Sequence, residues 1–156
     1  MILKRELTHT EVAYLAGILD GEGCISILKM RMKRPYGVYW HYALQLRIGN
    51  TYLPLLEWIC ERVGGKIYAQ TYVTNWRGNR KQAYHWHMQG RQAANFLALV
   101  RPYLIVKSEQ ADLAMEFIAL GRETAPAARA EMRERMRTLN VRGIGYSTAS
   151  GPASVE

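Results

Sequence analysis

Long apolar runs are missing from this 156-residue chain. No stretch approaches the ~20 residues that a membrane-spanning helix needs, so no membrane partner is expected. Cysteine is scarce. Cys24 and Cys60 are the only two, without CxxC spacing, which excludes a disulfide framework. Both read as small core residues in a reducing compartment. The opening "MILKRELTHT" has neither an apolar h-region nor a small-residue cleavage site. The expectation is therefore an intracellular protein, cytoplasmic, nucleoid-associated or organellar, and not a secreted one. Acid is missing in a more telling way. The 13 Asp and Glu fall in blocks and leave residues 23–56 and 62–108 with none, while those stretches hold five and eight Lys or Arg. Charge that serves solubility mixes its signs. Two long acid-free basic stretches in a chain of net charge +8 point to a polyanion, nucleic acid first.

What is present suffices for one core, since 49% of the residues are apolar; residues 1–140 read as one domain and 141–156, rich in Gly, Ser and Ala, as a flexible tail. Thr8 and Glu11 form a T-x-x-E capping box that starts a first helix, stapled by Leu7 and Val12 and running to about Gly21. It is apolar nearly all round and should be buried on every side. Strands are expected at 24–33 and 38–49 around "RPYG", then a helix capped by Asn50 or Thr51 with Pro54 in its first turn and Gly64-Gly65 as its stop. The pattern repeats: strands at 66–73 and 82–89 around the basic loop "NWRGNRKQ", and helices over 91–100 and from Lys107 or Ser108 to Leu120. A last helix is capped by Thr124, with Met132, Met136 and Leu139 on one side. The order αββαββα plus C-terminal helices implies an α+β fold with one four-stranded antiparallel sheet, covered on one face by the second to fourth helices.

The other face of that sheet carries an unusual set. His41, Gln45, Arg47, Lys66, Tyr68, Gln70, Tyr72, His85 and His87 fall on it by alternation, and the loop adds Arg77, Arg80 and Lys81. Arg and Gln are side chains that read base edges, and a β-ribbon fits a major groove. The first strand is ambiguous. Ile25 and Ile27 put odd positions inward and aim Ser26, Leu28, Met30, Met32 and Arg34 at the ligand, yet Lys29, Arg31 and Lys33 are odd as well. Either a bulge switches the parity, or the strand outruns the core and exposes both faces.

The segment "YLAGILDGEGCIS" ends a buried-looking helix with Asp20 and Glu22 set among glycines. Uncompensated burial of such charge is expensive. A divalent cation at the edge of the buried region would resolve it, since Mg²⁺ takes one or two carboxylates with water and substrate phosphates. The plainer alternative is a turn opened by Asp-Gly. "LAGILDGEG", Leu15 to Gly23, resembles the signature of the LAGLIDADG homing endonucleases, and the likeness extends over about residues 8–140. It includes "VRPYLIVKSEQADLAMEFI", where Pro-aromatic-Leu precedes a lysine and a Gln-Ala helix start. The resemblance implies a metal-dependent endonuclease that hydrolyses phosphodiester bonds of double-stranded DNA with Mg²⁺, or with Mn²⁺, or binds without cleaving in Ca²⁺. Glu22 takes the place of the metal-binding acid, and Gly21 that of the residue lending its carbonyl. Asp20 would orient the helix end, Asn50 hold water near the metal, and Lys107 border the water network. The basic residue common early in the second helix has no match in "TYLPLLEW".

A single motif implies a homodimer, because cutting both strands needs two acidic sites. Ala13, Gly17 and Gly21 lie four apart on one helix face, with Ala16 beside them, and would let two first helices meet and bring both Glu22 side chains together. The DNA site would be partly palindromic and roughly 20 base pairs long. An intron RNA maturase or a non-cleaving DNA-binding protein on the same fold is the rival reading.

Overall fold

In the computed structural model, residues 6–71, 81–121 and 125–142 are described. Helix α1 (His9–Glu22) starts at the expected capping box: Glu11 N donates to Thr8 Oγ1 at 3.3 Å and Thr8 N to Glu11 Oε2 at 3.0 Å. The chain passes from α1 straight into β1 (Gly23–Arg34) with no connecting loop. Only glycine permits this, because a Cβ at position 23 would collide with the Leu19 carbonyl. Strand β2 (Gly37–Asn50) returns antiparallel in unbroken register, from Gly23 opposite Ile48 to Arg34 opposite Gly37. No bulge switches the parity, so the strand outruns the core.

Helix α2 (Leu53–Val63) begins later than expected, with Tyr52 as N-cap and no side-chain cap. Asn50 does not cap it; its Oδ1 accepts from Tyr52 N at 2.8 Å and closes a short turn ahead of the helix. Gly64 and Gly65 end α2 at φ +80° and +97°. The Trp86 indole lies against Gly65 where a Cβ would clash, and its Nε1 donates to Gly64 O at 2.7 Å. Strand β3 (Lys66–Ala69) is shorter than expected and β4 (Tyr84–Gln89) starts later, giving the order β1-β2-β4-β3. Helix α3 (Gly90–Val100), a 3₁₀ turn at Arg101–Tyr103, α4 (Ser108–Ala119) and α5 (Pro126–Arg142) follow. The expected element order holds. Helix α5 runs past residue 140; the expected Thr124 cap and tail residues 143–156 lie outside the described residues.

One sheet face carries Ile25, Ile27, Tyr42, Leu44, Leu46, Ile48, Trp86 and Met88, all buried. Against it pack not only α2 to α4 but also α1 and α5. Leu15 and Leu19 of α1 and Met132 and Met136 of α5 belong to the same core. Asn140 pins α5 to the sheet by donating to Ile25 O at 3.0 Å. The expectation that α1 is buried all round fails within one chain: Tyr14, Gly17 and Gly21 form an exposed side. No helix among the described residues is long and apolar enough to cross a membrane.

Candidate active site and nucleic-acid interface

Asp20 and Glu22 have opposite surroundings. Both Asp20 carboxylate oxygens are occupied: Oδ2 accepts from Ile105 N at 2.8 Å and Val106 N at 3.2 Å, and Oδ1 from Lys107 N at 3.0 Å. Lys107 Nζ in turn donates to the Asp20 backbone carbonyl, placing an ammonium at the negative end of the α1 dipole. Further ties hold the segment leading into Lys107. Arg101 grips Asp112 through two bonds of 2.6 and 2.8 Å, and Tyr103 OH pairs with His9 Nδ1 at 2.9 Å. The Arg101 hydrogen bond holds the Asp112 carboxyl below its ordinary range. Asp20 thus ties the end of α1 to the loop that carries Lys107.

Glu22 is exposed and makes no hydrogen bond or ion pair among the described residues. Gly21 beside it is in the last turn of α1, where carbonyls lack intrahelical partners. Asn50 ends β2 two residues beyond Ile48, the partner of Gly23, so it stands at the same end of the sheet as Glu22, roughly 7 Å along its strand. With its Oδ1 taken by Tyr52, the Asn50 amide keeps its Nδ2 donors. Among the described residues no group of three or more His, Cys, Asp or Glu could hold a metal. A carboxylate with a neighbouring carbonyl is instead a partial set of hard oxygens, which suits Mg²⁺ because that ion keeps waters and substrate phosphates as ligands. Asp20 does not fit as a ligand, its oxygens being engaged.

The register sorts the expected DNA-binding residues by face. Ser26, Leu28, Met30 and Arg34 of β1, His41, Gln45 and Arg47 of β2, Lys66 and Tyr68 of β3, and His85 and His87 of β4 share the face free of helices. Gln70, just past β3, joins them by bonding His85. Lys29, Arg31 and Lys33 are on the opposite face of the β1–β2 hairpin, outside the core, with Lys29 Nζ 4.4 Å from the Trp40 ring centre. Lys81 is exposed, while Tyr72, Arg77 and Arg80 lie outside the described residues. Burial of the imidazoles, then the nearby Arg47 charge, lowers the pKa of His85 and His87 below 6.5; His85 adds to the effect on His87. Cys24 is exposed on this face, not a core residue as its type suggested, while Cys60 is half-buried and donates to Gly65 O at 3.5 Å.

Of the residues expected at a partner interface, Ala16 is fully buried in the chain's own core. Ala13 is half-buried and Gly17 and Gly21 are exposed, with open space wherever a Cβ of either glycine would point. Sequence reasoning missed Ile105 and Val106, which are 85% and 66% exposed while Asp20 holds their backbone. The signal available was an apolar pair in a loop directly before a helix start.

The LAGLIDADG endonuclease family model matches residues 15–86. Solved structures share the fold at low identity. The homing endonuclease I-CvuI, crystallised with a DNA target and Mg, is 18% identical with a TM-score of 0.66 over 92% of this chain and 86% of its own. The archaeal intron-encoded homing endonuclease I-Vdi141I, complexed with DNA, is 17% identical with a TM-score of 0.62 over 94% and 89%. I-SmaMI, a LAGLIDADG homing endonuclease bound to cleaved DNA, is 18% identical with a TM-score of 0.53 over 96% of this chain but 46% of its own. No curated protein sequence matches significantly. Motif region and fold agree: residues 15–86 match the LAGLIDADG endonuclease family model, and the chain shares the fold of solved homing endonucleases.

Proposed function

We propose that the chain is a site-specific DNA endonuclease that works as a homodimer with divalent metal on a long, partly palindromic duplex. The observation that carries this reading is the exposed Glu22 at the end of α1, without a hydrogen-bond or ion-pair partner among the described residues and standing at the foot of an open basic sheet face, with Lys107 held on the Asp20 carbonyl. Glu22 and the Gly21 carbonyl are the residues that would hold Mg²⁺, with Mn²⁺ as an alternative and Ca²⁺ supporting binding without cleavage. When bound, such a cation polarises the phosphate, helps generate hydroxide and neutralises the leaving 3′-oxygen. The chain's own contribution is positional. Asp20 fixes the loop that carries Lys107, whose charge favours the phosphorane-like transition state. The Asn50 amide is placed to orient a water. The sheet face holds the duplex through Arg47, Lys66 and their neighbours.

The dimer reading rests on α1. Glycine within a helix costs about 1 kcal/mol relative to alanine, and nothing among the described residues needs Gly17 or Gly21 to lack a side chain. A second α1 packed against this side supplies the reason, and would also cover Ile105 and Val106.

Incubation with Mg²⁺ and a duplex carrying the intron-free form of the host gene tests the activity. The expected result is double-strand cleavage by the wild type, and binding without cleavage by Glu22→Gln. Equal cleavage by both would remove Glu22 from the site; binding with no cleavage by either would favour a non-cleaving DNA-binding protein or an intron RNA maturase.

A further inference from the structure

A straight cross-strand row crosses the open sheet face: Cys24 is opposite Arg47, Arg47 opposite His87, and His87 opposite Lys66. Side chains so paired stand roughly 5 Å apart, so Arg47, His87 and Lys66 are neighbours. Their surroundings fix what each can offer. Gln45 Nε2 donates to His87 Nδ1 at 3.4 Å, which leaves the proton of a neutral His87 ring on Nε2. In the next row, His85 Nε2 donates to Gln70 Oε1 at 2.8 Å. That bond occupies the acceptor of the Gln70 amide and leaves its Nε2 hydrogens to give. Gly49 makes room for His85, whose Nδ1 is 3.0 Å from where a Cβ at position 49 would stand and is buried without a partner among the described residues. A proton there would be a buried donor with no acceptor, so His85 stays neutral and its bond to Gln70 keeps this sense.

The row therefore gives hydrogen bonds and accepts none. We propose that Arg47, His87 and Lys66, with the Gln70 amide beside them, read guanine in the part of each half-site nearest the cut. In the major groove guanine shows two adjacent acceptors, N7 and O6, and no donor; adenine and cytosine each show an amine, and thymine a methyl group. Arg47 matches the guanine pair with a two-pronged fork. The position near the cut rests on the proposed endonuclease function. Cys24 is next to Gly23 on β1, directly after Glu22, so the row is at the Glu22 end of the sheet. Farther along β1 the open face carries Ser26, Leu28, Met30 and Met32, with no charge before Arg34. The guanine requirement is accordingly confined to an inner block.

Selection from a randomised duplex pool by the full chain in Ca²⁺ tests this. Enriched sequences should carry guanine at symmetric positions near their centre. Replacing those guanines by 7-deazaguanine should weaken wild-type binding on the order of ten- to hundredfold. Arg47→Lys keeps the charge but loses the fork, so it should reduce guanine preference at one symmetric pair of positions by a similar factor, with a matching loss of affinity for the guanine-bearing duplex and little change for duplexes lacking those guanines. Enriched sequences without inner guanines, or full guanine preference in Arg47→Lys, would overturn the proposal and leave the endonuclease reading standing. Recovery of no sequence preference at all would overturn both.

Discussion

Asp20 and Glu22 differ by one methylene and are two positions apart, yet their environments give them separate tasks. Asp20 accepts from the backbone N–H groups of residues 105, 106 and 107 and so fastens the loop behind Lys107. Hydrogen bonds to a charged acceptor are worth about 1.5–3 kcal/mol. Asp20→Ala should therefore lower the stability measured by urea unfolding by about 1–3 kcal/mol, and should reduce cleavage while leaving metal-free DNA binding intact. Unchanged stability would mean that the loop is held by Arg101–Asp112 and Tyr103–His9 alone. The acid pair was legible from its place after an apolar run and from the motif. The partners of Asp20 were not, because a bond between residues 20 and 107 leaves no local pattern. The His85–Gln70 bond was hidden for the same reason. Cys24 shows the reverse failing: Ile25 and Ile27 already fixed the strand parity that puts Cys24 outside, and the usual burial of cysteine was given too much weight against it.

At the scale of elements, periodicity located every helix and strand in the described residues, since each is long or bounded by Gly, Pro or a cap. Ends were less legible. β3 stops at Ala69, although alternation continues in the sequence, because alternation marks which face a residue would take and not whether a partner strand accompanies it. Helix α1 carries the test at this scale. A Cβ at Gly17 meets nothing within 4 Å among the described residues. Gly17→Leu should thus leave the fold intact by circular dichroism and weaken self-association at least tenfold by sedimentation equilibrium, whereas Ala16, wholly inside the core, is no part of that surface. Association unchanged in Gly17→Leu would place the partner contact elsewhere.

Across the whole molecule, the uneven distribution of charge becomes a shape. Acid-free residues 23–56 and 62–108 contain the four strands, and Arg34, Gln45, Arg47, Lys66 and Gln70 gather on the face that the helices leave free, while Lys29, Arg31 and Lys33 take the other side of the β1–β2 hairpin. Among the described residues every acid but Glu6 lies on a helix, and Glu22, the last residue of α1, stands where that helix meets the first strand. Under the proposed function such a division would steer a duplex onto one side of the protein. Each chain brings one Glu22 to that duplex. The most direct measurement of this account uses mixed dimers, made from differently tagged wild-type and Glu22→Gln chains and purified through both tags, acting with Mg²⁺ on a duplex labelled on each strand. If each Glu22 serves one strand, the mixed dimers nick a single strand per binding event, wild-type dimers cut both and variant dimers cut neither. Double-strand cutting by the mixed dimers, or wild-type activity from a single chain on DNA, would contradict it.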